Sequence, residues 1–182
     1  RLRGVSRMDS LEIILEKATR TYSPDEKKKL ADRKNGYYRQ LIQELTPDRI
    51  LPGVMSILEG LRKEGFKVAV GSSSKNAPLI LERIGLKETF DVVVGGNDIT
   101  KSKPDPEVFL LAAERLKVDP AHCVVVEDAD AGIEAALAAD MRVIGVGAAA
   151  GNPRATWRAQ ALDAFSPAEF NKLVGDEKHG KG

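Results

Sequence analysis

The sequence predicts an α/β fold, a parallel β-sheet with helices on both faces, preceded by a small α-helical unit. From about Pro52 onward, short apolar runs alternate with helical patterns, which is typical of parallel strands joined by crossover helices. The run Val124–Val126 is apolar without alternation, as expected for a strand that is buried on both faces of such a sheet. Up to about Leu51 the pattern is helix after helix, with no strand.

Composition excludes several classes of function. The 182 residues carry a net charge of +1, from 28 Lys+Arg and 27 Asp+Glu. This balance provides no field that would attract nucleic acid or an anionic membrane, so neither is expected as a partner. Cys123 is the one cysteine and has no partner for an internal disulfide, and no apolar segment is long enough to span a bilayer. We therefore expect a cytoplasmic protein. A monomer is a separate expectation, which does not follow from composition.

Residues 1–51, which we call the cap, are predicted to form helices. Asp9 or Ser10 can cap a first helix over Leu11–Arg20, because apolar residues recur on one face there. Ser23–Glu26 is a capping box and begins a long second helix. A unit of this size is too short to bury a good core alone, so the cap should pack against the rest of the chain or close over it as a lid.

Residues 52–174, which we call the α/β unit, are predicted to alternate strands with helices. The predicted strands are Lys67–Val70, Phe90–Val94, Cys123–Val126 and Val143–Val146, with a short edge strand over Leu162–Phe165. The predicted helices are Val54–Lys63, Asn76–Ile84, Pro106–Lys117 and Ile133–Ala139, and a last helix that begins at the capping box Ser166–Glu169. Residues 175–182 show no apolar periodicity and are predicted to be a disordered tail.

Glu127 and Asp128 directly follow the strand Cys123–Val126, at the edge of a parallel sheet where ligands bind. Two carboxylates at the rim of an apolar core are costly unless a cation, a proton or a basic group compensates them. Oxygen ligands suit Mg²⁺, so the pair is a candidate metal site. Taken alone, one carboxylate could instead cap the next helix while the other is solvated.

Two further loops at strand ends offer hydroxyl groups and a positive charge. Gly71–Asn76 combines serines, a lysine and the N–H groups of a helix start, so it could cradle a phosphate or form a plain N-capping turn. Lys103 precedes Pro104, which holds it extended, so it could place a fixed ammonium in a site or remain a solvated surface lysine. Three such loops, each after a strand and in this order, together favour a phosphate and Mg²⁺ site.

These motifs resemble those of the haloacid dehalogenase-like superfamily of Mg²⁺-dependent phosphotransferases. The Ser72 loop is similar to the second motif of that superfamily, Lys103 to the third, and Glu127-Asp128 to the fourth. The similarity runs over about residues 1–147 and implies a Rossmann-like parallel sheet with a helical cap. Five segments further resemble the β-phosphoglucomutase family: Gly4–Arg7, Arg33–Asn35, Ser74–Asn76, Ser102–Pro104 and Gly132-Ile133.

The resemblance implies a role for each matching residue. Glu127 and Asp128 would help to hold Mg²⁺, one directly and one through water. Ser72 would hydrogen-bond the transferring phosphoryl group, and Lys103 would neutralise charge between that group and the carboxylates. The other matching residues would bind the substrate, with Lys34 at the sugar and the second phosphate held by Arg7, Ser74, Lys75 and Asn76.

The family implies a phosphosugar mutase that interconverts β-glucose 1-phosphate and glucose 6-phosphate through an aspartyl phosphate, with a phosphorylated hexose as its substrate. Two phosphate sites favour a mutase over a sugar-phosphate phosphatase, which needs only one. The nucleophile of the family lies in an Asp-x-Asp motif at the end of a first strand, and no such motif precedes the cap here. We therefore expect that the first strand is missing, that the parent protein is the enzyme, and that these residues alone are inactive. A non-catalytic module that binds a sugar phosphate or Mg²⁺ is the alternative.

Overall fold

All strand pairs in the computed structural model, which describes residues 2–166 and 168–169, run parallel. The strands are β1 (Ala69–Gly71), β2 (Val92–Val94), β3 (Val124–Glu127), β4 (Arg142–Val146) and β5 (Trp157–Ala159). The helices are α1 (Arg7–Leu15), α2 (Pro24–Gln43), α3 (Val54–Lys63), α4 (Ala77–Arg83), α5 (Glu107–Leu116) and α6 (Asp130–Ala138). The predicted α/β class with a parallel sheet is thus confirmed.

The strands form two sheets, and their carboxyl ends meet at one edge. β1 pairs with β2, and β4 lies between β3 and β5. In the larger sheet Val126 lies opposite Ile144, which in turn lies opposite Trp157. The Lys103 ammonium contacts both Gly71 at the end of β1 and Glu127 at the end of β3, so one side chain links the two sheets.

β1 and β3 each keep one edge that pairs with no strand among the described residues. Val126 of β3 is 37% exposed, although its neighbour Val125 is buried. Unpaired apolar edges of this kind can accept a further strand. A strand between β1 and β3 would complete one continuous sheet, and the missing first strand stays a prediction.

Helices cover both faces of the larger sheet. Successive side chains of β4 point to opposite faces, so each face packs against different helices. Val143 packs into a core formed largely by α5 and α6, together with the fully buried Val108 and Ile133. The next residue, Ile144, packs on the other face with Ile57 of α3. Full burial of each such side chain contributes about 1.5–3 kcal/mol, so both clusters hold the strand ends in place.

The first helix of the cap begins earlier than predicted. α1 covers Arg7–Leu15 instead of Leu11–Arg20, so the prediction that Asp9 or Ser10 caps it is wrong. Ser6 is the N-cap, because its hydroxyl oxygen accepts a hydrogen bond from the backbone N–H of Asp9 at 3.2 Å.

The second helix of the cap, α2, begins at the predicted capping box. The side chains of Ser23 and Glu26 each accept a hydrogen bond from the backbone N–H of the other. α2 is 20 residues long but too polar to cross a membrane, and no other helix in the described part of the chain is both long and apolar enough to do so. The division of the chain into a cap and an α/β unit stays a prediction.

The edge strand of the larger sheet differs from the prediction. β5 covers Trp157–Ala159, whereas Leu162–Ala164 forms a 3₁₀ turn. Leu162 and Phe165 pack with Ile57 on the face of the sheet, so these apolar residues cover the sheet rather than extend its edge. The predicted last helix, apart from residues 168–169, and the predicted disordered tail lie outside the described residues.

Candidate active site

The loop that contains Lys103 is joined to both other loops of the site. The Lys103 ammonium donates to the Gly71 carbonyl at 3.1 Å and to the Glu127 carboxylate. Its backbone N–H donates to the Ser73 hydroxyl oxygen at 3.4 Å, and the peptide bond to Pro104 is cis. The three loops proposed from the sequence therefore converge on one lysine.

The ion pair between Lys103 and Glu127 is buried, with 5% and 8% of the two side chains exposed. The second carboxylate oxygen of Glu127 accepts from the backbone N–H groups of Asp128 at 2.9 Å and Ala129 at 3.1 Å. Burying two charges costs several kcal/mol per ion unless hydrogen bonds satisfy both. That condition holds here, because no buried side-chain nitrogen or oxygen of the described residues lacks a partner.

Asp128 is the carboxylate that faces open space. Its side chain is 62% exposed and contacts the equally exposed Arg3 at 3.4 Å. Together with Ser72, Lys103 and Glu127 it lines a cavity of about 310 Å³, which we call the inner cavity. All four residues that we expect to act on the transferring phosphoryl group border this one space.

The inner cavity offers a partial site for Mg²⁺. Asp128 would give up only an exposed ion pair to bind a cation, whereas Glu127 would give up bonds to buried Lys103 or to the backbone. Mg²⁺ commonly keeps several waters and takes one or two carboxylates together with substrate phosphate. Both residues therefore fit Mg²⁺: Asp128 would bind it directly and Glu127 would reach it through water. No cluster of three or more His, Cys, Asp or Glu side chains suited to a metal occurs in the part of the chain that the structure describes.

The serine loop is shaped by its own hydrogen bonds. The hydroxyl oxygen of Ser72 accepts from the backbone N–H of Ser74, and that of Ser74 accepts from the N–H of Asn76, both at 3.1 Å. Each hydroxyl proton is left to donate elsewhere. A Cβ at Gly96 would lie 2.4 Å from the carbonyl oxygen of Ser73, so the loop packs closely only because residue 96 is glycine.

A second cavity, of about 550 Å³, opens between the cap and the α/β unit, and we call it the outer cavity. It adjoins the inner cavity, since Ser73 and Ser74 line both. The charged side chains in its lining are Arg7, Lys28, Lys34, Lys75, Lys101 and Asp32. Five cations against one acid favour an anionic ligand, and Asp32 already pairs with Arg7 at 3.7 Å. The five residues predicted to bind substrate, which also include Ser74 and Asn76, all lie in this lining.

Two side-chain hydrogen bonds tie the cap to the α/β unit on either side of the outer cavity. The buried Asn76 donates from its amide to Asn35 of α2 at 3.0 Å. The hydroxyl of Ser102 donates to the carboxylate of Asp9 in α1, which also accepts from Ser6 at 2.6 Å. These two hydroxyls, Ser102 first, hold the pKa of Asp9 below its ordinary value. The helix that carries Arg7 is thus tied to the residue before Lys103.

Replacing Asp9 with alanine is expected to lower the free energy of unfolding by about 1 kcal/mol or less, because the hydrogen bond from Ser102 to Asp9 is largely exposed. A carboxyl whose folded pKa is lowered adds stability above its ordinary pKa, 3.8 for Asp9, and loses it as pH falls through the folded value. Urea unfolding of wild type and Asp9→Ala should therefore differ at about pH 6, and the difference should shrink as pH falls below 3.8. A difference that stays constant over this range would contradict the role of the charge.

Three residues that support the site, Asp9, Gly132 and Phe109, were not predicted from the sequence to do so. Asp9 lies three residues after Ser6, a capping spacing that the apolar pattern of α1 obscures. Gly132 lies within the first turn of α6, and a glycine inside a helical pattern can signal close packing. Phe109 gives no local signal, since only the fold brings its ring to Lys103, with 4.5 Å between the ring centroid and Nζ.

Residues 3–140 match a family model described as a haloacid dehalogenase-like hydrolase. The chain belongs to this family. The matched range contains Ser72, Lys103, Glu127 and Asp128, so the family resemblance inferred from the motifs is confirmed. The parallel α/β fold agrees with this family.

Relatives of this haloacid dehalogenase-like chain include both mutases and phosphatases. A β-phosphoglucomutase from Bacillus subtilis is 46% identical over 149 residues, which cover 81% of this chain and 66% of that protein. A phosphorylated carbohydrates phosphatase from Thermotoga maritima is 33% identical over 178 residues, covering 96% of this chain and 80% of that protein. The crystal structure of a β-phosphoglucomutase from Clostridium difficile has a TM-score of 0.89 at 36% identity, covering 95% of this chain and 78% of that one. The chain thus spans just under two thirds of the length of the Bacillus relative.

Proposed function

We propose that the protein to which this chain belongs is a Mg²⁺-dependent phosphosugar mutase that interconverts β-glucose 1-phosphate and glucose 6-phosphate through an aspartyl phosphate. The observation that carries the proposal is the adjoining pair of cavities, one at Lys103 and Glu127 and one lined by five cations around Arg7. A mutase has to hold both phosphates of a bisphosphorylated intermediate, whereas a phosphatase holds only the phosphate it removes. The β-phosphoglucomutases among the relatives support the same activity.

The inner cavity would act on the transferring phosphoryl group by positioning and electrostatics, which dominate catalysis of phosphoryl transfer. Lys103 has three N–H donors, and Gly71 and Glu127 use two of them, so the third would bind a phosphoryl oxygen. Ser72 would donate its hydroxyl proton to another, because its oxygen already accepts from Ser74. Loss of one such preorganised donor typically slows a reaction by about 10²–10³-fold.

The attacking aspartate would come from a strand between β1 and β3. Both strands keep a free edge there in the described part of the chain, and the carboxylates in the lining of the inner cavity are Glu127 and Asp128. An aspartate at the carboxyl end of such a strand would lie between the serine loop and this acidic pair. Because nucleophilic catalysis needs that aspartate, residues 1–182 alone are expected to show no turnover.

Mg²⁺ would be held by Asp128 directly and by Glu127 through water. When bound, it would neutralise part of the charge on the phosphoryl oxygens. Glu127 also makes two kinds of interaction with other residues of this chain. It neutralises Lys103, and it accepts the N–H groups of the turn that leads into α6.

The outer cavity would hold the second phosphate and the sugar. Arg7 offers a planar fork that can bind two phosphate oxygens at once, and Ser74, Lys75 and Asn76 face the same space. Lys34 lies over the ring of Tyr38, with 5.1 Å between its ammonium nitrogen and the ring centroid, and would contact the sugar. The bonds from the cap to the α/β unit would close the cavity around the substrate.

A sugar-phosphate phosphatase is the second candidate, and phosphatases among the relatives favour it. The Thermotoga relative that aligns with 96% of this chain is named a phosphorylated carbohydrates phosphatase. In such an enzyme water, rather than a sugar hydroxyl, would accept the phosphoryl group, and Ser72, Lys103 and Asp128 would serve in the same way. For either activity we propose a cytoplasmic monomer that acts on a phosphorylated hexose.

Replacing Arg7 with alanine in the complete gene product tests the second phosphate site. Loss of a bidentate charged contact should raise KM for the bisphosphorylated hexose by about tenfold or more, since hydrogen bonds to charged groups contribute about 1.5–3 kcal/mol. Hydrolysis of a small acyl phosphate, which reaches only the inner cavity, should change less than about twofold. Steady-state kinetics with the two substrates measures this difference.

Arg39→Ala is the matched control, because Arg39 is an exposed arginine of α2 outside the lining of both cavities. It should leave both substrates unaffected. Equal losses on both substrates in Arg7→Ala would remove Arg7 from the second phosphate site and weaken the case for a mutase.

A further inference from the structure

The Lys103 ammonium is enclosed by three different groups. The Gly71 carbonyl and the Glu127 carboxylate accept its hydrogen bonds, and the face of the Phe109 ring lies 4.5 Å from Nζ at the ring centroid. Phe109 belongs to α5, is only 7% exposed and is part of the hydrophobic core. The same ring therefore packs in the core and supports a buried cation.

The Phe109 ring differs from the other two groups because it does not require an N–H donor of the ammonium. Gly71 and Glu127 each use one of the three N–H donors of Lys103, whereas an aromatic face attracts the charge without needing a directed hydrogen bond. Phe109 thus holds the ammonium in place and leaves the third donor for an anion in the inner cavity. Water or a polar side chain in the position of the ring would compete for that donor.

Gly71 makes this arrangement possible. A Cβ at Gly71 would lie 2.9 Å from Cδ1 and 3.0 Å from Cε1 of Phe109, so any larger residue would push the ring away. The carbonyl of the same residue accepts from Lys103. One glycine at the end of β1 therefore admits the ring and binds the ammonium that the ring supports.

We propose that Phe109 is a positioning residue for the inner cavity: its ring face fixes the Lys103 ammonium so that one N–H donor points to a bound phosphate or phosphoryl group. The proposal rests on the proposed function only for the identity of that anion. Phe109 itself need not touch the substrate, and it acts through Lys103.

The first test needs no variant. The ε-methylene protons of Lys103 should resonate upfield of those of lysines that lie away from aromatic rings, because they lie near the face of the Phe109 ring. Their signal should also shift when inorganic phosphate is titrated in the presence of Mg²⁺, which gives a dissociation constant for this one site. An ordinary lysine chemical shift in the folded wild type would overturn the proposal.

The second test separates the ring face from simple packing. Phe109→Leu keeps an apolar side chain but removes the aromatic face, and phosphate affinity at Lys103 should fall by about tenfold. Phe109→Tyr keeps the face and should bind phosphate within about threefold of wild type. Val108→Ala, at the fully buried neighbouring position in α5, is the control for lost packing and should keep the wild-type affinity.

Three results of this second test would also overturn the proposal: unchanged affinity in Phe109→Leu, an equal loss in Val108→Ala, or an equal loss in Phe109→Tyr. These readouts are chemical shifts and binding constants, so they stand whether or not the complete protein proves to be a mutase. Conversely, a failed mutase assay beside an upfield Lys103 signal that responds to phosphate would reject the proposed function alone.

Discussion

Gly132→Ala is expected to destabilise the fold by about 3 kcal/mol, although it adds only one methyl group. The new Cβ would lie 2.1 Å from Cδ of Glu127 and 2.2 and 2.5 Å from its two carboxylate oxygens. The carboxylate is the end of a flexible side chain, but Lys103 and two backbone N–H groups hold it in a buried position. Moving it would break a buried ion pair, which typically costs about 3–5 kcal/mol.

Gly36→Ala is the matched control for this substitution. Gly36 lies inside α2, and a Cβ there would meet nothing within 4 Å. Alanine should therefore stabilise the protein by about 0.5–1 kcal/mol through helix propensity. Urea unfolding of both variants measures the contrast. A Gly132→Ala protein within about 0.5 kcal/mol of wild type would show that the Glu127 carboxylate is not fixed as described.

Lys103→Met is expected to cost stability and activity together. Methionine fills a similar volume, but it leaves the buried Glu127 carboxylate with only two backbone N–H partners, at an expected cost of about 3 kcal/mol. In the complete gene product it would also remove the donor aimed at the phosphoryl group, with an expected rate loss of about 10³-fold. Urea unfolding and steady-state turnover measure the two effects separately.

The double variant Lys103→Met/Glu127→Gln distinguishes these effects. Removing both charges leaves no unpaired buried ion, so at least about half of the lost stability should return. Activity should stay lost, because the ammonium is still absent. Stability losses that simply add up in the double variant would mean that the two side chains do not depend on each other.

The order of the elements could be predicted because it depends on local patterns. The apolar run Val124–Val126 and the capping box Ser23–Glu26 lie where they were expected, as do the three polar loops that follow strands. Chain order and strand direction are enough to bring such loops to one edge of a parallel sheet. The family followed from the same loops, because their residue types recur in a fixed order.

Apart from the start of α1, which the local cap at Ser6 sets, the departures from prediction depend on contacts between distant residues. Trp157–Ala159 has no apolar run, and it forms a strand only because β4 offers a partner edge beside Ile144. Leu162 and Phe165 have the composition of a strand, but their side chains are used to cover the sheet. The role of Gly132 depends on where the Glu127 carboxylate turns, which local sequence does not encode.

The burial of Glu127 also sharpens the view of the acidic pair. From the sequence alone, the carboxylates of Glu127 and Asp128 are two equivalent candidates for a metal site. In the structure they are unequal: Glu127 is 8% exposed and bound to Lys103, whereas Asp128 is 62% exposed beside the inner cavity. Glu127 therefore holds Lys103, and we propose that Asp128 would make the direct contact with Mg²⁺.

The most direct test of the proposed mutase is a ³¹P NMR time course of the complete gene product with β-glucose 1-phosphate, Mg²⁺ and a trace of the bisphosphorylated hexose. We expect the substrate signal to be replaced by that of glucose 6-phosphate, with inorganic phosphate remaining a minor species and with no conversion in excess chelator. Inorganic phosphate that rises in step with substrate loss, without glucose 6-phosphate, would contradict the mutase and identify a phosphatase instead.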